Sequence, residues 1–456
     1  MTTVSQSQET SDQPPETGKQ RPVALDNTGA LAHIETSWIQ LCRDEVVMKE
    51  FFKVIAVEEA LGFKTGFARM ETEKIPLKDT LGRILAENVQ SDIDLPDFPR
   101  SIMDGFALRG ESTFGASEGN PAYLVVKGSV AMGESSDLSV GPGEAVRIST
   151  GGMLPAGANS VVMVEHTDTV DDTTIEVYRS VAPGQNMVTV GEDIKKGEAI
   201  LPAGRRIRPQ ESGLLAALGR QSVTVFKKPV VGIISTGDEV VPVDQVPAGG
   251  QIRDVNTYTL MNQVAELGAV AIPFGIVGDD YDALLAKSTQ ALDQCDLVLV
   301  SGGSSVGARD FTIDIISALQ QSSILFHGIS ISPGKPTILA SIQNKQFWGL
   351  PGHVVSAMIV FSRIVKPFID YISGLAVGVQ NEIRLTARLS RNLASAQGRI
   401  DFVRVRLFNE DGANWAEPIL GKSGLISTMV KADGLIEIGM NTEGLDEGTE
   451  VEVILL

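Results

Sequence analysis

Between residues 229 and 374, short apolar runs alternate with amphipathic stretches, and this alternation limits the fold more than any other feature of the chain. The runs 230–235 (VVGIIS), 269–277 (AVAIPFGIV) and 297–300 (LVLV) are apolar at successive positions, so both faces of each strand must be covered. The stretches 256–268, 281–292 and 311–320 carry apolar residues at helical spacing and are long enough to be crossover helices. Further strands are expected at 324–326, 337–342 and 346–350, followed by a long helix over 354–372. Apolar strands separated by amphipathic helices mean a parallel-rich sheet covered on both sides, a doubly wound α/β unit.

The flanking segments read differently. From about 98 to 200, β-like runs (AYLVVKG, EAVRIST, SVVMVEH, TTIEVYR) are broken by Gly, Pro and Asn-Ser turns, which marks an all-β insertion. Helical spacing appears over 48–63. It appears again over 76–87, where Leu77, Leu81, Ile84 and Leu85 fall on one face behind Pro76, and over Pro209 to Leu218. From about 380 the chain is β again and ends in TEVEVILL. The expected architecture is multidomain α/β plus β. Residues 1–47 form a polar extension expected to be disordered, 48–97 with 186–228 a helical N-terminal layer, and 98–185 the β insertion. Residues 229–375 form the α/β domain, and 376–456 a small C-terminal β-barrel, with a sandwich as the alternative.

Charge narrows the function classes. The net charge is −19, so nucleic acid and anionic membrane surfaces are poor partners, and an anionic ligand needs local cations, backbone N–H groups or a metal. Cys42 and Cys295 make neither a disulfide framework nor a zinc site. The first twenty residues lack the basic and apolar regions of a signal peptide, and no apolar run is long enough to span a bilayer. A cytoplasmic setting is expected.

In open parallel sheets, ligands sit beyond the carboxyl ends of the strands. The loops expected there are unusual: Ser235-Thr236-Gly237-Asp238-Glu239, Gly278-Asp279-Asp280, Gly302-Gly303-Ser304-Ser305-Val306-Gly307 running to Asp310, Ser332-Pro333-Gly334-Lys335-Pro336, and Pro351-Gly352-His353-Val354-Val355-Ser356. Glycines let backbone N–H groups approach a ligand, and Glu239, Asp279, Asp280 and Asp310 are hard oxygen donors suited to Mg²⁺. Glycine-lined cradles beside carboxylates suggest a metal-bridged phosphate or pyrophosphate. Each element also has a plainer reading. A Gly-Gly after a strand is often only a turn, and Asp310 or Asp279-Asp280 before a helix can be N-caps. Lys335 is harder to dismiss, because the flanking prolines fix its direction. His327 and His353 lack metal-ligand spacing, and His166 reads as a turn residue. No G-x-S-x-G, Walker A or G-x-G-x-x-G sequence stands at a strand–helix junction, which argues against a serine hydrolase, a P-loop NTPase and a dinucleotide dehydrogenase.

From about Met48 to Leu456 the chain resembles the molybdopterin molybdenumtransferases (MoeA-like), the family that includes the E domain of gephyrin. The resemblance is carried by LPDFPRSIMDGFALRG at 95–110, VRISTGGMLPAGANSVVMVE at 146–165, GEDIKKGEAILPAG at 191–204 and IISTGDEV at 233–240. It continues through SGGSSVGARDF, SPGKP, GLPGHVVS at 349–356 and ADGLIEI at 432–438. It implies a reaction in which molybdate is inserted into adenylylated molybdopterin with Mg²⁺-assisted pyrophosphate cleavage, giving molybdenum cofactor and AMP. It also implies a homodimer, and as further partners a molybdopterin adenylyltransferase and molybdoenzyme apoproteins or their chaperones. Residue by residue, Glu239, Asp279 or Asp280, and Asp310 become the acidic and metal-site group, with Asp310, Glu239 and Lys335 as the catalytic set. Gly302, Gly303, Ser305, Pro351 and Gly352 would hold the pterin or phosphate, and Lys335, Ser356, Arg399 and Ser423 the oxyanion. Asp104, Thr150 and Asp193 would complete the site from the partner subunit. On residue type alone, Asp104 is a turn residue and Thr150 a strand-end hydroxyl.

The chain departs from the family pattern in two places. Ser332 stands where the family often has a basic residue, and His353-Val354 replace Asn-Pro in G-L-P-G-N-P-V-S. His353 is either a titratable donor near the anion or a helix-start residue with local hydrogen bonds. A molybdopterin adenylyltransferase shares the α/β unit but has no need of the β insertion or the C-terminal β domain. A scaffold or degenerate paralogue that binds without turnover is the remaining alternative, and retention of the acids and Lys335 argues against it.

Overall fold

The computed structural model describes residues 54–302, 311–376 and 382–456. The polar extension and the start of the 48–63 pattern lie outside these residues. Helix α1 (Val57–Gly62) is followed by strand β1 (Thr72–Pro76). The insertion strands are β2 (Gly105–Leu108), β3 (Ala122–Val130), β4 (Glu144–Ile148), β5 (Ser160–Met163), β6 (Thr167–Asp171) and β7 (Thr174–Val177). They form one six-stranded sheet in the order β5-β2-β4-β3-β7-β6. Helix α2 (Pro209–Ala217) then leads into β8 (Ser222–Phe226), which pairs antiparallel with β1.

The stretch 76–87 is not the helix its apolar spacing suggests. A single 3-10 turn at Leu77–Asp79 is followed by a turn at Leu81–Gly82 and by bridges from Ile84 to Arg206 and from Leu85 to Val225. The Gly82 N–H donates to the Ile207 carbonyl and the Leu85 N–H to Arg205, so these donors are spent across the chain instead of four residues back. Ile84 and Leu85 are buried while Leu81 stays 68% exposed, so these leucines do not share one buried face. Cross-chain pairing can satisfy the same apolar period as a helix.

The alternating stretch forms as its pattern requires. Strands β9 (Val230–Thr236), β10 (Val270–Val277) and β11 (Leu297–Ser301) are separated by helices α3 (Asn256–Glu266) and α4 (Tyr281–Gln294). Helix α5 (Phe311–Ala318), β12 (Ser322–His327), β13 (Ile331–Ser332), β14 (Ile338–Ile342) and β15 (Lys345–Leu350) follow. The sheet order is β10-β9-β11-β15-β14-β12, and β14 alone runs antiparallel to its neighbours. Leu297 and Leu299 pack into the core on one face with Trp348 and Phe368, whereas Val298 and Val300 pack on the other with Phe347 and Ile316. Trp348 meets Phe368 edge-on at 4.9 Å between ring centres. The long helix is α6 (Val354–Val360), a π segment at Phe361–Val365 and α7 (Lys366–Ile372). Pro367 sits just after the π segment and has no N–H to offer the Arg363 carbonyl, so a widened turn there breaks no available bond.

The last strands are β16 (Arg384–Leu389), β17 (Ile400–Glu410), β18 (Ala413–Pro418), β19 (Gly434–Ile438) and β20 (Glu450–Leu455). Their order β17-β18-β16-β20-β19 closes on itself through the β17–β19 ladder, giving a five-stranded barrel instead of a sandwich. Strand β13 pairs with β17 at Ile331–Ile400 and Ser332–Asp401, which fastens the loop after β13 to the barrel.

Glu211, 4% exposed, shows what holds α2 in place. Its carboxylate accepts from the Arg208 guanidinium at 2.7 Å and from the Arg208 backbone N–H at 3.0 Å, and from Arg205 Nε at 2.9 Å. Arg208 is the main influence that lowers its pKa to about 2, with Arg205 assisting against burial. A depressed carboxylate contributes stability above its ordinary pKa of 4.5 and loses that contribution as pH falls through about 2. Glu211→Gln is therefore expected to lower stability by on the order of 3 kcal/mol at pH 7. The gap to wild type should shrink steadily below pH 4.5. Urea midpoints of the two proteins at several pH values check this, and a gap independent of pH would contradict it.

Candidate functional site

The carboxyl ends of the parallel strands open into a cavity of about 1480 Å³. This is larger than the ~300–1000 Å³ usual for small-ligand pockets and suits a substrate of more than one part. The loops after β9, β10 and β11, the Ser332–Pro336 loop and the Pro351–Ser356 loop all contribute to its lining, and residues 397–399 and 423–424 close it from the barrel.

Local chemistry holds each loop. Gly302 has φ +110°, and a Cβ there would stand 2.5 Å from the Thr236 carbonyl, so only glycine lets the chain leave β11 this close to β9. The Gly302 N–H donates to the Leu350 carbonyl. Gly237, with φ +135°, leaves room for the Glu239 carboxylate, which a Cβ would meet at 2.6 Å. The Asp279 N–H donates to Asp238 Oδ1 at 2.9 Å, which ties the β10 loop to the β9 loop. Lys335 is set by its backbone: its carbonyl accepts from the N–H groups of Ile329 and Thr337.

Asn256 joins three loops. Its amide donates to Ser301 Oγ at 2.7 Å and to the Gly352 carbonyl at 2.8 Å. Beside it, the buried Asp254 carboxylate accepts from Ser235 Oγ at 2.9 Å and from the Thr257 N–H at 3.1 Å. Sequence reasoning missed both residues. The available signal was Asp254-Val255-Asn256-Thr257 at the start of α3, which reads as ordinary helix-start chemistry until the fold brings the neighbouring loops to it.

Of the residues expected at the site, Glu239, Asp279, Gly302, Lys335, Pro351, Gly352, Ser356, Arg399 and Ser423 line the cavity together. Asp280 does not: its carboxylate caps α4, accepting from the Ala283 N–H at 2.8 Å, so the plainer reading holds for this residue and Asp279 is the one at the wall. Asp104, Thr150 and Asp193 also lie apart from the lining. Asp104 Oδ1 accepts from the Thr150 N–H at 2.7 Å, which brings two of the three together on the insertion. Gly303, Ser305 and Asp310 lie outside the described residues. Among the described residues, no three of His, Cys, Asp and Glu converge as a metal-binding group.

The two departures from the family pattern make contacts with the barrel. Ser332 pairs through its backbone strand with Asp401, and His353 Nδ1 lies 2.8 Å from Ser423 Oγ. Burial pushes the Asp401 carboxyl up, but the bond from Ser395, the nearby Ser332 hydroxyl and the charge of Arg399 outweigh it and hold the pKa below the usual value. Arg399 Nε is 2.9 Å from Asp401 Oδ1. The cavity thus sets the acids Glu239, Asp254 and Asp279 against Arg253, Lys335 and Arg399, with the hydroxyls of Ser332, Ser356 and Ser423 between the loops. Such a lining can hold a cation on one wall and an oxyanion on another.

Comparison with known proteins agrees along most of the chain. Residues 55–219 match the model of the MoeA N-terminal region (domains I and II), 232–371 the probable molybdopterin binding domain, and 386–456 the MoeA C-terminal region (domain IV). A putative molybdopterin biosynthesis protein of Methanocaldococcus jannaschii is 37% identical over 395 residues, 85% of this chain and 92% of that protein. The molybdopterin molybdenumtransferase of Bacillus subtilis is 34% identical over 407 residues, 88% of this chain and 94% of that enzyme. The crystal structure of the molybdopterin biosynthesis MoeA protein of Pyrococcus horikoshii superposes with a TM-score of 0.76 at 33% identity, covering 89% of this chain and 100% of that one. With this match over nearly the whole described chain, it belongs to the molybdopterin molybdenumtransferases, the MoeA family of transferases in molybdenum cofactor biosynthesis.

Proposed function

We propose that this enzyme inserts molybdate into adenylylated molybdopterin, with cleavage of the pyrophosphate link and release of AMP and molybdenum cofactor. The observation that carries this reading is the single cavity in which Glu239 and Asp279 face the same space as Lys335, Ser356, Arg399 and Ser423. An acid pair and a set of cationic and hydroxyl donors in one cleft match a substrate that carries a pyrophosphate and receives an oxyanion.

Mg²⁺ is often held by one or two carboxylates together with substrate phosphates, and Glu239 and Asp279 fit that mode without a third protein acid. Bound there, Mg²⁺ would neutralise charge at the pyrophosphate. The chain's own residues do the positioning. The backbone at Gly302, Pro351 and Gly352 lies beside the phosphates and pterin, and Lys335, Arg399, Ser356 and Ser423 take the molybdate oxygens. Asp310, Gly303 and Ser305 join this set on the strength of the family motif.

The reading includes a homodimer in which Asp104, Thr150 and Asp193 reach the cavity of the partner subunit. Exposed apolar side chains flank both surfaces. Ile102, Met103 and Val190 lie on the insertion side and Leu420, Leu425 and Val430 on the barrel side, an arrangement that contact between two copies would cover. A molybdopterin adenylyltransferase as supplier, and molybdoenzyme apoproteins or their chaperones as receivers, complete the set of partners. The reading includes a cytoplasmic setting and neither nucleic acid nor membrane as partner.

Purified protein given adenylylated molybdopterin, Mg²⁺ and molybdate should release AMP in a molybdate-dependent way and reconstitute a molybdoenzyme apoprotein. Tight binding of the substrate without turnover would instead favour a scaffold. Glu239→Gln is expected to slow AMP release about 100-fold and to raise the Mg²⁺ concentration needed for half-maximal rate. An unchanged Mg²⁺ requirement would remove Glu239 from the metal site. Light scattering at micromolar concentration should give a dimer. Mixing inactive Asp104→Ala subunits with inactive Glu239→Gln subunits should restore activity to about a quarter of wild type, because half the dimers then carry one intact site. No recovery after verified subunit exchange would contradict the contribution in trans.

A further inference from the structure

We propose that His353 is a positioning residue for oxyanion capture: it sets the direction of the Ser423 hydroxyl and so decides whether that hydroxyl can donate to a bound tetrahedral oxyanion. This rests on the proposed reaction for the identity of the oxyanion as molybdate, but the geometry that carries it is independent of turnover.

His353 and Ser423 both line the cavity and come from different parts of the fold, His353 from the loop leading into α6 and Ser423 from the segment between β18 and β19. Their backbones are already fixed. The Val355 N–H donates to the Ser423 carbonyl at 3.0 Å, and the His353 carbonyl accepts from the Ala357 N–H at 2.9 Å. At Gly424 an added Cβ would lie 3.9 Å from His353 Cδ2, so the imidazole rests against a position without a side chain. What the backbone leaves open is the rotation of the Ser423 hydroxyl, and His353 Nδ1 at 2.8 Å governs it.

A serine hydroxyl has one proton to give. If Nδ1 is bare, it accepts that proton and Ser423 turns its lone pairs to the cavity, where they repel an oxyanion. If Nδ1 carries hydrogen, it donates to Ser423 Oγ, and the hydroxyl proton is free to point at the anion. The donors nearby make this choice matter. The Arg399 guanidinium is already paired with the Asp401 carboxylate, which leaves less of its charge for an anion. On a chain of net charge −19, one correctly aimed hydroxyl is a significant part of the attraction for an anion. With Nδ1 as the donor, an asparagine amide at this position would serve equally.

The test combines the molybdate dependence of AMP release with equilibrium dialysis of radiolabelled molybdate against wild type, H353F, H353Q, H353N, S423A and H353F/S423A, each checked for folding by its melting profile. H353F is expected to raise the molybdate KM and dissociation constant about 10-fold with kcat within about two-fold. H353Q, whose amide reaches the place of Nε2 and misses Ser423, should behave like H353F and serves if H353F does not fold. H353N should recover most of the affinity. The double variant should bind molybdate no worse than S423A, because both changes remove one interaction. Losses that multiply in the double variant, or unchanged affinity in both H353F and H353Q, overturn the proposal. Wild-type protein that binds molybdate in a His353-dependent way yet releases no AMP refutes the proposed reaction and leaves this inference standing. Wild-type protein that binds no molybdate overturns both.

Discussion

The site depends on a strand that is saturated on every side. Leu297–Ser301 is fully buried, its alternate side chains feed two separate cores, and both its edges are paired, to β9 and to β15. A strand in that position cannot shift register without exposing apolar surface and breaking two ladders at once. Its end at Ser301-Gly302 is therefore a fixed point. Asn256 reaches this point from α3 and carries the constraint on to Gly352, so three loops that are distant in sequence share one anchor. Loops held in this way can present backbone and carboxylate groups without the entropy cost of ordering them on binding.

The barrel completes the cavity through a different constraint. The two-residue pairing of β13 with β17 brings Ser332 opposite Asp401 and places Arg399 beside the Lys335 loop. The backbone bond from Val355 to Ser423 makes a second attachment on the other side of the cleft. Each attachment is small, but together they fix the barrel against the α/β unit where an oxyanion would contact both. The core that covers one face of the α/β sheet also takes in Ile400, Phe402, Met429 and Leu435 of the barrel side, so the two walls of the cleft share buried packing.

Which parts were legible in the sequence follows from what determines them. The α/β alternation was readable because burial on both faces requires continuous apolar strands, and the rim loops followed from the direction of those strands. The stretch 76–87 was misread because its leucine spacing fits a helix as well as it fits extended chain packed against 205–207. The choice is made by hydrogen bonds to residues more than a hundred positions away. Asp279 and Asp280 could not be separated from sequence, since adjacent carboxylates before a helix look alike until one of them caps it. Arg399 and Ser423 have no local signature at all. They reach the cavity through tertiary pairing, and family resemblance was the route by which they could be named. Asn256 was passed over for the opposite reason, because its local context is so ordinary.

The two departures from the family pattern are best understood together. A basic residue at 332 would place a second cation near Lys335 and compete with Arg399 for Asp401. With serine there, Ser395 and Arg399 are the partners that hold Asp401 charged against the effect of its burial. Arg399 is paired with Asp401, so less of its guanidinium charge is left for a ligand. Under the proposed reaction, the absence of a cation at position 332 leaves the attraction for molybdate to donors elsewhere in the cleft. His353, on the opposite loop and already bonded to Ser423, is in position to supply it. On this view, substitutions at 332 and 353 are coupled through the ligand, although the two side chains belong to different loops.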